Sequence, residues 1–574
     1  MKVISKIKNE ITSFTTESVE VSEGYQFSQY KIVNRVSRYR NRIYPLGPTD
    51  DQKRYKFWFD IIQPKVDNEV KNVDFDTSNV FLHSDAQEDS VAVFVMNASF
   101  KQWMRDSGQG ESINESEEAG AAEGNVVWKK SGNSYDLIDL RNLFVIIQTA
   151  KTLNDTPVIE RHSLSQSDLR KKKGVWDSDE IEKVIKNCPN KTFSATPTTS
   201  VKQNTEIPSY EIFERNGEVS VEELKEAKGE NYNPETDRDN YVLAKIVCAG
   251  LGNSQGQYIL FAKEIDEMPY AEYHRGPYKG RWLREGLVEL LIDVQTRINK
   301  IGNEIAAGLA FASKVLFRSG DIKTIQNALT QLMNGDILRS ADLQQVDVQM
   351  RGFTELAAEW NRLLDLSNRI ANSFEITSGE ALPSGTPLGL GRLYDQNSNK
   401  FFGFLQEKFA LAYSQVIYAM LPELIKEIKS KGVAVITGDG KYLQKYYEMA
   451  VNAWYINNLI SFAPHTEEQA KALKAAKLEE LMKSKPEARI KLEDGLFKGV
   501  LKRLQVVITS ENYNIGDTQT LVELIKLVVD PIRRDAMVSI IASRSVRGID
   551  FDSLPKSPPV QQQPPQQTTQ PVAA

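Results

Sequence analysis

The clearest pattern in the chain is an apolar stripe in its middle third. Six aliphatic residues follow one another at steps of four, three, four, three and four positions: Leu287, Leu291, Val294, Ile298, Ile301 and Ile305. Steps of three and four place side chains on one face of an α-helix. The stripe therefore predicts a helix from about Arg284 to Lys314, roughly 45 Å long at about 1.5 Å per residue.

Weaker patterns predict further elements on both sides of this helix. Apolar positions at helical spacing indicate helices over 353–374, 397–420 and 466–481. A helix-like pattern also covers 55–73, where Pro64 interrupts it. Runs rich in β-branched and aromatic residues predict strands at 126–128, 143–147, 210–213, 241–247 and 257–261. The expected fold class is α+β and mainly helical.

Three segments lack the apolar content of a packed core. Residues 106–125 are rich in Gly, Ser, Glu and Ala, and we expect a mobile acidic loop because burial cannot offset the entropy of ordering it. Residues 377–391 carry four glycines and two prolines, which predicts a flexible loop between two helices. Residues 555–574 are mostly Pro, Gln and Thr, and this tail is expected to be disordered.

Composition is that of an ordinary globular protein. The 574 residues are 41% apolar and 26% charged, and no run of about 18 apolar residues predicts a membrane span. The N-terminus lacks a secretory signal, and Cys188 and Cys248 show neither disulfide nor metal spacing, so we expect a protein kept in a reducing cytoplasm. The net charge of −6 argues against a surface that grips nucleic acid broadly.

The sequence offers few groups for catalysis. It has no Gly-x-x-x-x-Gly-Lys-Ser/Thr loop to hold a nucleotide phosphate. The histidines lack metal-ligand spacing; they are His83, His162, His274 and His465. Asp-x-Asp pairs can hold Mg²⁺ and occur at Asp74 and Asp76, Asp177 and Asp179, Asp237 and Asp239, and Asp550 and Asp552. So many short pairs suggest chance, and we predict no catalytic residue, no metal site and no cofactor.

A basic and aromatic stretch over 30–44 leaves two interpretations open. It contains Tyr30, Arg35, Arg38, Tyr39, Arg40, Arg42 and Tyr44. Such side chains can bind nucleic acid by stacking and phosphate contacts. They equally suit a surface helix whose arginine stems lie along apolar surface with their charged ends in water, which we favour.

Residues at the start of the long helix resemble a known family. The run from His274 to Glu289 reads HRGPYKGRWLREGLVE, and Gln295, Asn299 and Asn303 follow it. This resembles the portal, or head–tail connector, proteins of tailed bacteriophages, most of all the short-tailed type. Further similar segments follow in the family's order: Phe57-Trp58-Phe59, the NGDIL run from Asn334 to Leu338, the helix, loop and helix over 353–420, and Val506 to Thr509.

The resemblance implies a subunit of a closed ring, usually of twelve copies, with wing, stem, clip and crown regions around a channel. In chain order the regions would be a wing at 1–199 with the acidic loop, a clip at 200–272 that is a small α/β module, a stem helix at 273–320, wing helices at 321–430 with a channel-facing loop over 375–396, a C-terminal wing or crown at 431–554, and the tail at 555–574. A ring requires a contact between unlike surfaces whose rotation closes.

The resemblance also implies roles for individual residues. The apolar stripe of the stem helix would form the subunit interface, through Leu287, Leu291, Val294, Ile298, Ile301 and Ile305. The channel loop would contain Gly379, Leu382, Pro383, Gly385, Pro387, Leu388, Gly389 and Gly391. Isolated phosphate contacts in the channel would come from Lys300, Lys314 and Arg392.

The expected function is therefore structural and not enzymatic: a portal ring at one capsid vertex, through which double-stranded DNA is packaged and ejected. Its expected partners are further copies of the chain, double-stranded DNA, the major capsid protein, the terminase and neck or tail adaptor proteins, with no membrane. Its expected location is the virion, after assembly in the host cytoplasm. One rival is another phage ring component, such as a neck adaptor or baseplate protein. A more distant rival is a metal-dependent nucleotide enzyme that uses the Asp-x-Asp pairs.

Overall fold

The computed structural model describes residues 2–50, 53–75, 77–86, 89–132, 134–188, 209–233, 235–252, 256–312, 316–318, 344–346, 352–373, 388–437, 440–458, 467–484, 487–492 and 494–508. Within them the fold is α+β and mainly helical, which confirms the predicted class. The helices are α1 Lys2–Thr16, α2 Gln29–Arg40, α3 Gln63–Val73, α4 Ser90–Asp106, α5 Gln109–Glu123, α6 Gln166–Lys171, α7 Ser178–Asn187, α8 Val221–Lys228, α9 Leu287–Ala312, α10 Phe353–Ile370, α11 Leu388–Ser430, α12 Gly440–Asn457, α13 Glu467–Ser484 and α14 Val500–Arg503. The strands are β1 Val19–Ser22, β2 Tyr25–Phe27, β3 Val80–Ser84, β4 Asn125–Ser131, β5 Ser134–Leu137, β6 Leu143–Val145, β7 Val158–Ser165, β8 Ser209–Ser220, β9 Tyr241–Ala249, β10 Tyr258–Glu264, β11 Tyr270–His274, β12 Leu316–Arg318, β13 Gln344–Val346, β14 Val433–Thr437, β15 Glu487–Lys491 and β16 Leu504–Ile508.

A five-stranded antiparallel sheet organises the first half of the described chain. Its strand order is β10-β9-β8-β7-β6, so β8 pairs with β7. The strands predicted within 210–261 are confirmed. The predicted boundary between a wing at 1–199 and a separate clip at 200–272 is wrong, because it cuts through this sheet: β6 and β7 lie before it, and the other three strands lie after it.

Alternation along the strands buries both faces of the sheet. Phe213 and Ile246 pack with the apolar side of α1, whereas their chain neighbours Ile212 and Val247 pack with α6 and α7. Successive side chains of a strand point to opposite faces, so a strand covered on both sides is apolar at consecutive positions. The sheet and the helices on its two faces therefore form one unit with two apolar layers.

The long helix α9 is the centre of a second, helical core. Five residues of its apolar stripe are at most 8% exposed, and Ile305 is partly buried. The helices that cover the stripe are α2, α3, α5 and α10. The prediction that this stripe forms the subunit interface is therefore wrong: Leu287, Leu291, Val294, Ile298, Ile301 and Ile305 lie in the chain's own core.

Residues 106–125 are mostly helical and not the mobile loop that their composition predicts. The helix α5 covers Gln109–Glu123, and Gly120 and Ala122 on it are buried. A Cβ added at Gly120 would lie only 3.0 Å from Cε1 of Tyr273. The small residues therefore allow close packing of α5 against β11, which composition alone does not distinguish from a solvated linker.

The helix α11 covers a third core with its apolar side, against α3, α4, β4 and β11. It begins earlier than predicted, so Leu388, Gly389 and Gly391 of the predicted channel loop are helical. Each helical glycine costs about 1 kcal/mol relative to alanine, which is why this composition favours a loop prediction. The rest of that loop lies outside the described residues: Gly379, Leu382, Pro383, Gly385 and Pro387.

The predicted helix over 55–73 is half right. Only Gln63–Val73 is helical, and Pro64 lies in its first turn, where the missing N–H group is harmless. The carboxylate of Asp60 accepts hydrogen bonds from the N–H groups of Ile62 and Gln63, at 3.1 and 3.2 Å. Residues 56–59 belong to no helix or strand.

The remaining predicted elements have mixed outcomes. The helices predicted over 353–374 and 466–481 correspond to α10 and α13. The run from Asn334 to Leu338 that resembles the family, and the tail at 555–574, lie outside the described residues. Among the described helices, none combines the length and the apolarity that a bilayer crossing requires.

Helix α5 carries a carboxyl group in an unusual environment. Glu117 is 3% exposed and lies near Asp74 at the end of α3. Burial, and then the neighbouring carboxylate, raise the pKa of Glu117 from its ordinary value of 4.5 to about 9. The folded protein therefore holds this side chain protonated at neutral pH.

Glu117→Gln is expected to stabilise the protein at about pH 8 and to have little effect at about pH 4. Above the ordinary pKa of 4.5 the unfolded chain ionises Glu117 while the folded chain keeps it neutral up to about 9. The free energy of unfolding of the wild type therefore falls as the pH rises from about 4.5 to about 9, by at most ~1.4 kcal/mol per pH unit. Glutamine stays neutral and lacks this loss, which melting temperatures measured across the pH range would reveal.

The matched control is Glu115→Gln, an exposed carboxylate on the same helix. This variant should follow the wild-type melting curve at every pH. If Glu117→Gln changed the melting temperature equally at both ends of the pH range, the buried carboxyl would not be the cause.

Candidate functional site

The segment that joins β11 to α9 contains most of the residues that carry the resemblance, and two of its arginines are buried in ion pairs. Arg275 forms two hydrogen bonds with Glu69 of α3, at 2.7 and 2.9 Å. Arg281 forms two with Glu289 of α9, at 2.8 and 3.0 Å. They are 9% and 2% exposed, and buried guanidinium groups require such partners. Through these pairs the two arginines tie the segment to α3 and to α9.

Two glycines let the same segment approach α5 at backbone distance. A Cβ added at Gly124 would lie 2.4 Å from the carbonyl oxygen of Arg284, and one at Gly286 would lie 2.3 Å from that of Ala122. Asn125, which follows Gly124 in the chain, accepts a hydrogen bond from the N–H group of Arg284 at 2.8 Å. Gly286 of this motif therefore serves close backbone packing.

Three side-chain amides of α9 hold an extended segment of the chain, residues 57–61. Gln295, Asn299 and Asn303 are spaced four residues apart and so project from one side of the helix. Their oxygens accept hydrogen bonds from alternate backbone N–H groups: Ile61 to Gln295 at 3.0 Å, Phe59 to Asn299 at 2.9 Å and Phe57 to Asn303 at 2.8 Å. We call these three amides and their backbone partners the amide ladder.

Along the amide ladder, α9 and the segment 57–61 match in spacing and in the direction of their hydrogen bonds. Four helical residues advance about 6 Å and two extended residues about 6.6 Å, so each amide meets the next alternate residue of the segment. The amide nitrogens of Gln295 and Asn303 donate in return to the carbonyl oxygens of Phe59 and Phe57, at 2.6 and 2.9 Å. Gln295 is fully buried, and leaving such a group unpaired would cost about 1–3 kcal/mol.

An aromatic contact completes the attachment of this segment to α9. The ring of Phe59 meets the ring of Trp360 on α10 edge to face, with centroids 5.0 Å apart. A Cβ added at Gly302 of α9 would lie 2.3 Å from the Phe59 ring and 2.7 Å from the Trp360 ring. Because Gly302 has no side chain, the two rings can pack directly against the helix backbone. This packing explains why a glycine stands here, although it costs a helix interior about 1 kcal/mol relative to alanine.

The predicted phosphate contacts are only partly described by the structure. Lys300 lies on α9 with a 64% exposed side chain, 3.9 Å from the carboxylate of Glu304. Arg392 belongs to α11, but its side chain lies outside the described part, as does all of Lys314. Contact between these cations and DNA stays a prediction.

Lys300 lies beside a groove that no sequence pattern predicted. The groove has a volume of about 730 Å³ and lies between residues 39–58 and one side of α9. Three large side chains at the groove are mostly exposed: Leu46 at 91%, Tyr55 at 79% and Phe57 at 64%. The predicted helix over 55–73 included Phe57 in its apolar pattern, whereas the structure leaves the ring of Phe57 largely in solvent.

The basic and aromatic stretch at 30–44 forms the surface helix α2 and the turn after it. Tyr39 is buried, and its hydroxyl lies 2.5 Å from that of Thr296 on α9. Arg40 pairs with two carboxylates of α5, those of Glu118 and Glu123, at 2.5 and 3.1 Å. These contacts favour the surface-helix interpretation over nucleic-acid binding.

Two of the candidate metal-ligand pairs include a residue with an ordinary local role, whereas Asp76, Asp550 and Asp552 lie outside the described residues. Asp177 caps α7, where its carboxylate accepts hydrogen bonds from the N–H groups of Asp179 and Glu180 at 2.9 and 3.0 Å. Asp237 forms an ion pair with Lys225 at 2.9 Å. Across the described residues, no group of three or more His, Cys, Asp or Glu side chains is placed to hold a metal ion.

Gly302→Ala is expected to destabilise the protein by about 1–3 kcal/mol, because the added methyl group overlaps two packed aromatic rings. The matched control is Gly403→Ala in α11, where nothing lies within 4 Å of the new Cβ. The control should be neutral or stabilising by up to ~1 kcal/mol through helix propensity. Chemical unfolding followed by circular dichroism measures both, and equal effects of the two changes would contradict the packing at Gly302.

Comparison with known proteins adds no family assignment. No protein-family model matches the chain, and no curated protein matches it at a significant level. The resemblance to portal proteins therefore rests on the residues of the motif and on the order of the similar segments along the chain. The function that follows from them is a proposal.

Proposed function

We propose that the chain is a portal subunit of a tailed bacteriophage, one copy of a closed ring through which double-stranded DNA is packaged and ejected. The observation that carries this proposal is the unit formed by residues 274–303. There the residues that resemble the portal family build a single long helix and anchor it to the surrounding chain. A helix anchored in this way suits the rigid stem of a ring.

The chemistry of this unit favours a structural role over an enzymatic one. An active site presents an acid, a base or a nucleophile to a cleft. Here the charged and amide side chains instead bond within the chain, as Arg275 does with Glu69 and Gln295 with the backbone of Phe59. The polar residues of the motif stabilise the fold, and we assign no reaction to them.

We redraw the limits of the proposed regions along the elements of the fold. The helices α9 and α10 pack against each other, and β12, which follows α9, pairs with β13, which precedes α10. We therefore assign the stem to α9 and α10, and the clip to the part of the chain that lies between them in sequence instead of residues 200–272. The five-stranded sheet then belongs to the wing, because its strands span both sides of residue 200.

A channel for DNA must guide the polymer without holding it. DNA carries one negative charge per about 1.7 Å, so a uniformly basic wall would bind it strongly. The net charge of −6 and the burial of Arg275 and Arg281 in ion pairs suit passage instead. The proposed partners are the major capsid protein, the terminase and neck or tail adaptors, and the proposed location is a capsid vertex of the virion.

Electron microscopy of the purified full-length protein tests the proposal. We expect closed rings with a central hole and a mass of about 780 kDa, for twelve chains of 64.8 kDa. Native mass spectrometry gives the copy number independently of the images. Monomers or dimers at every concentration, or particles without a hole, would contradict a portal.

A second experiment addresses passage of DNA. Deletion of residues 382–387 removes much of the proposed channel loop and should leave ring assembly intact, since α11 begins at Leu388. The same rings should package less DNA or lose it sooner, because the loop would no longer narrow the channel. Replacement of the six residues by an equally long Gly/Ser segment controls for chain length. Full packaging and retention by the deletion rings would exclude a channel role for this loop.

A further inference from the structure

Two apolar surfaces of the chain have no cover among the described residues. The first is the groove beside Lys300, which the large side chains of Leu46, Tyr55 and Phe57 border. The α9 side of this groove is lined by small residues: Ala306, Ala307 and Ala310. Small side chains let another element approach the helix backbone closely, and a contiguous exposed apolar surface of this kind marks an interaction site.

The second surface is a ridge on α11. Phe404, Leu411 and Tyr418 are spaced seven residues apart and are 59%, 62% and 39% exposed. Seven residues make nearly two helical turns, so the three side chains form one row along the helix. The opposite side of α11 is buried in the third core, through residues such as Leu405 and Phe409. The ridge is therefore an additional apolar face, most exposed at Phe404 and Leu411, while the hydroxyl of Tyr418 is hydrogen-bonded to the backbone of β16.

The two surfaces carry complementary charge. Glu407 is exposed between Phe404 and Leu411, and forms no ion pair among the described residues. At the groove, Lys300 meets only the carboxylate of Glu304, at the long distance of 3.9 Å. Lys56 lines the same groove, with its ammonium group 5.5 Å from the ring centre of Tyr44. The ridge thus has an acidic centre, and the groove carries three cations, those of Arg54, Lys56 and Lys300, against two carboxylates, those of Asp50 and Glu304.

We propose that the groove of one copy receives the α11 ridge of a neighbouring copy, with Glu407 of the ridge facing Lys300 of the groove. The proposal rests on the proposed function, because it supplies the contact by which subunits form a ring. A groove and a ridge on the same chain make a contact between unlike surfaces, and repetition of such a contact closes a ring when its rotation allows. It assigns Lys300 to the subunit interface instead of to DNA.

Aromatic side chains of the two surfaces supply the centre of the proposed contact. A stable interface buries about 800 Å² on each partner, and one aromatic side chain contributes roughly 150–250 Å². Phe404 and Tyr418 on the ridge, with Tyr55 and Phe57 at the groove, supply the apolar centre of such a contact. The ion pair at its edge fixes which residues meet, as charges at interfaces do.

Charge reversal tests the contact. Glu407→Lys and Lys300→Glu should each raise the protein concentration needed for half-maximal ring assembly by about tenfold or more, because each sets like charges together. The two changes in one chain restore opposite charges and should return that concentration to within about threefold of the wild-type value. Glu115→Lys, an exposed reversal on α5, controls for net charge and should assemble as the wild type does.

Cysteine cross-linking locates the contact independently. Cys188 and Cys248 are buried, so exposed thiols introduced by Leu46→Cys and Leu411→Cys can be oxidised selectively. A mixture of the two single variants should give disulfide-linked dimers, whereas either variant alone should not. Normal assembly of both charge reversals, or absence of the mixed dimer, would overturn the proposed contact. If the wild-type chain formed no ring, the proposed function would fail, and the mixed cysteine variants would still decide the contact.

Discussion

The attachment of residues 57–61 to α9 is the constraint on which the helical part of the structure depends. An extended segment exposes a backbone donor and acceptor at every residue, and burying them unpaired against a helix would be costly. The helix meets this requirement with amide side chains, which both accept and donate hydrogen bonds. Their four-residue spacing on α9 matches the two-residue repeat of the segment, so the ladder sets the register between them.

Several neighbouring features follow from that register. Asp60, inside the attached segment, accepts hydrogen bonds from the N–H groups of Ile62 and Gln63 at the start of α3, so the position of that helix is tied to the ladder. Phe59 is placed against Trp360, which brings in α10, and Gly302 leaves room for both rings. Phe57 is left exposed at the groove. The same attachment that anchors α9 thus also forms the apolar surface that we assign to subunit contact.

Sequence patterns predicted elements with a regular repeat and missed contacts that have none. The stripe on α9 and the strands within 210–261 could be predicted, because periodic burial leaves a periodic sequence. The elements that pack against the stripe could not be predicted. A helix with one apolar face has the same sequence pattern whether its own chain or a neighbouring subunit packs against that face. Likewise the small residues around Gly120 suit a tight helix contact as well as a loop. Gln295, Asn299 and Asn303 were part of the recognised motif, but their backbone partners are more than 230 positions away.

Residue-resolved hydrogen exchange of the purified protein tests the amide ladder most directly. The backbone amides of Phe57, Phe59 and Ile61 should exchange as slowly as those in the middle of α9, because opening any of them requires the helix and the segment to separate. The amides of Trp58 and Asp60, between the ladder positions, should exchange faster. Equal and rapid exchange at all five positions would contradict an extended segment held by the side-chain amides of α9.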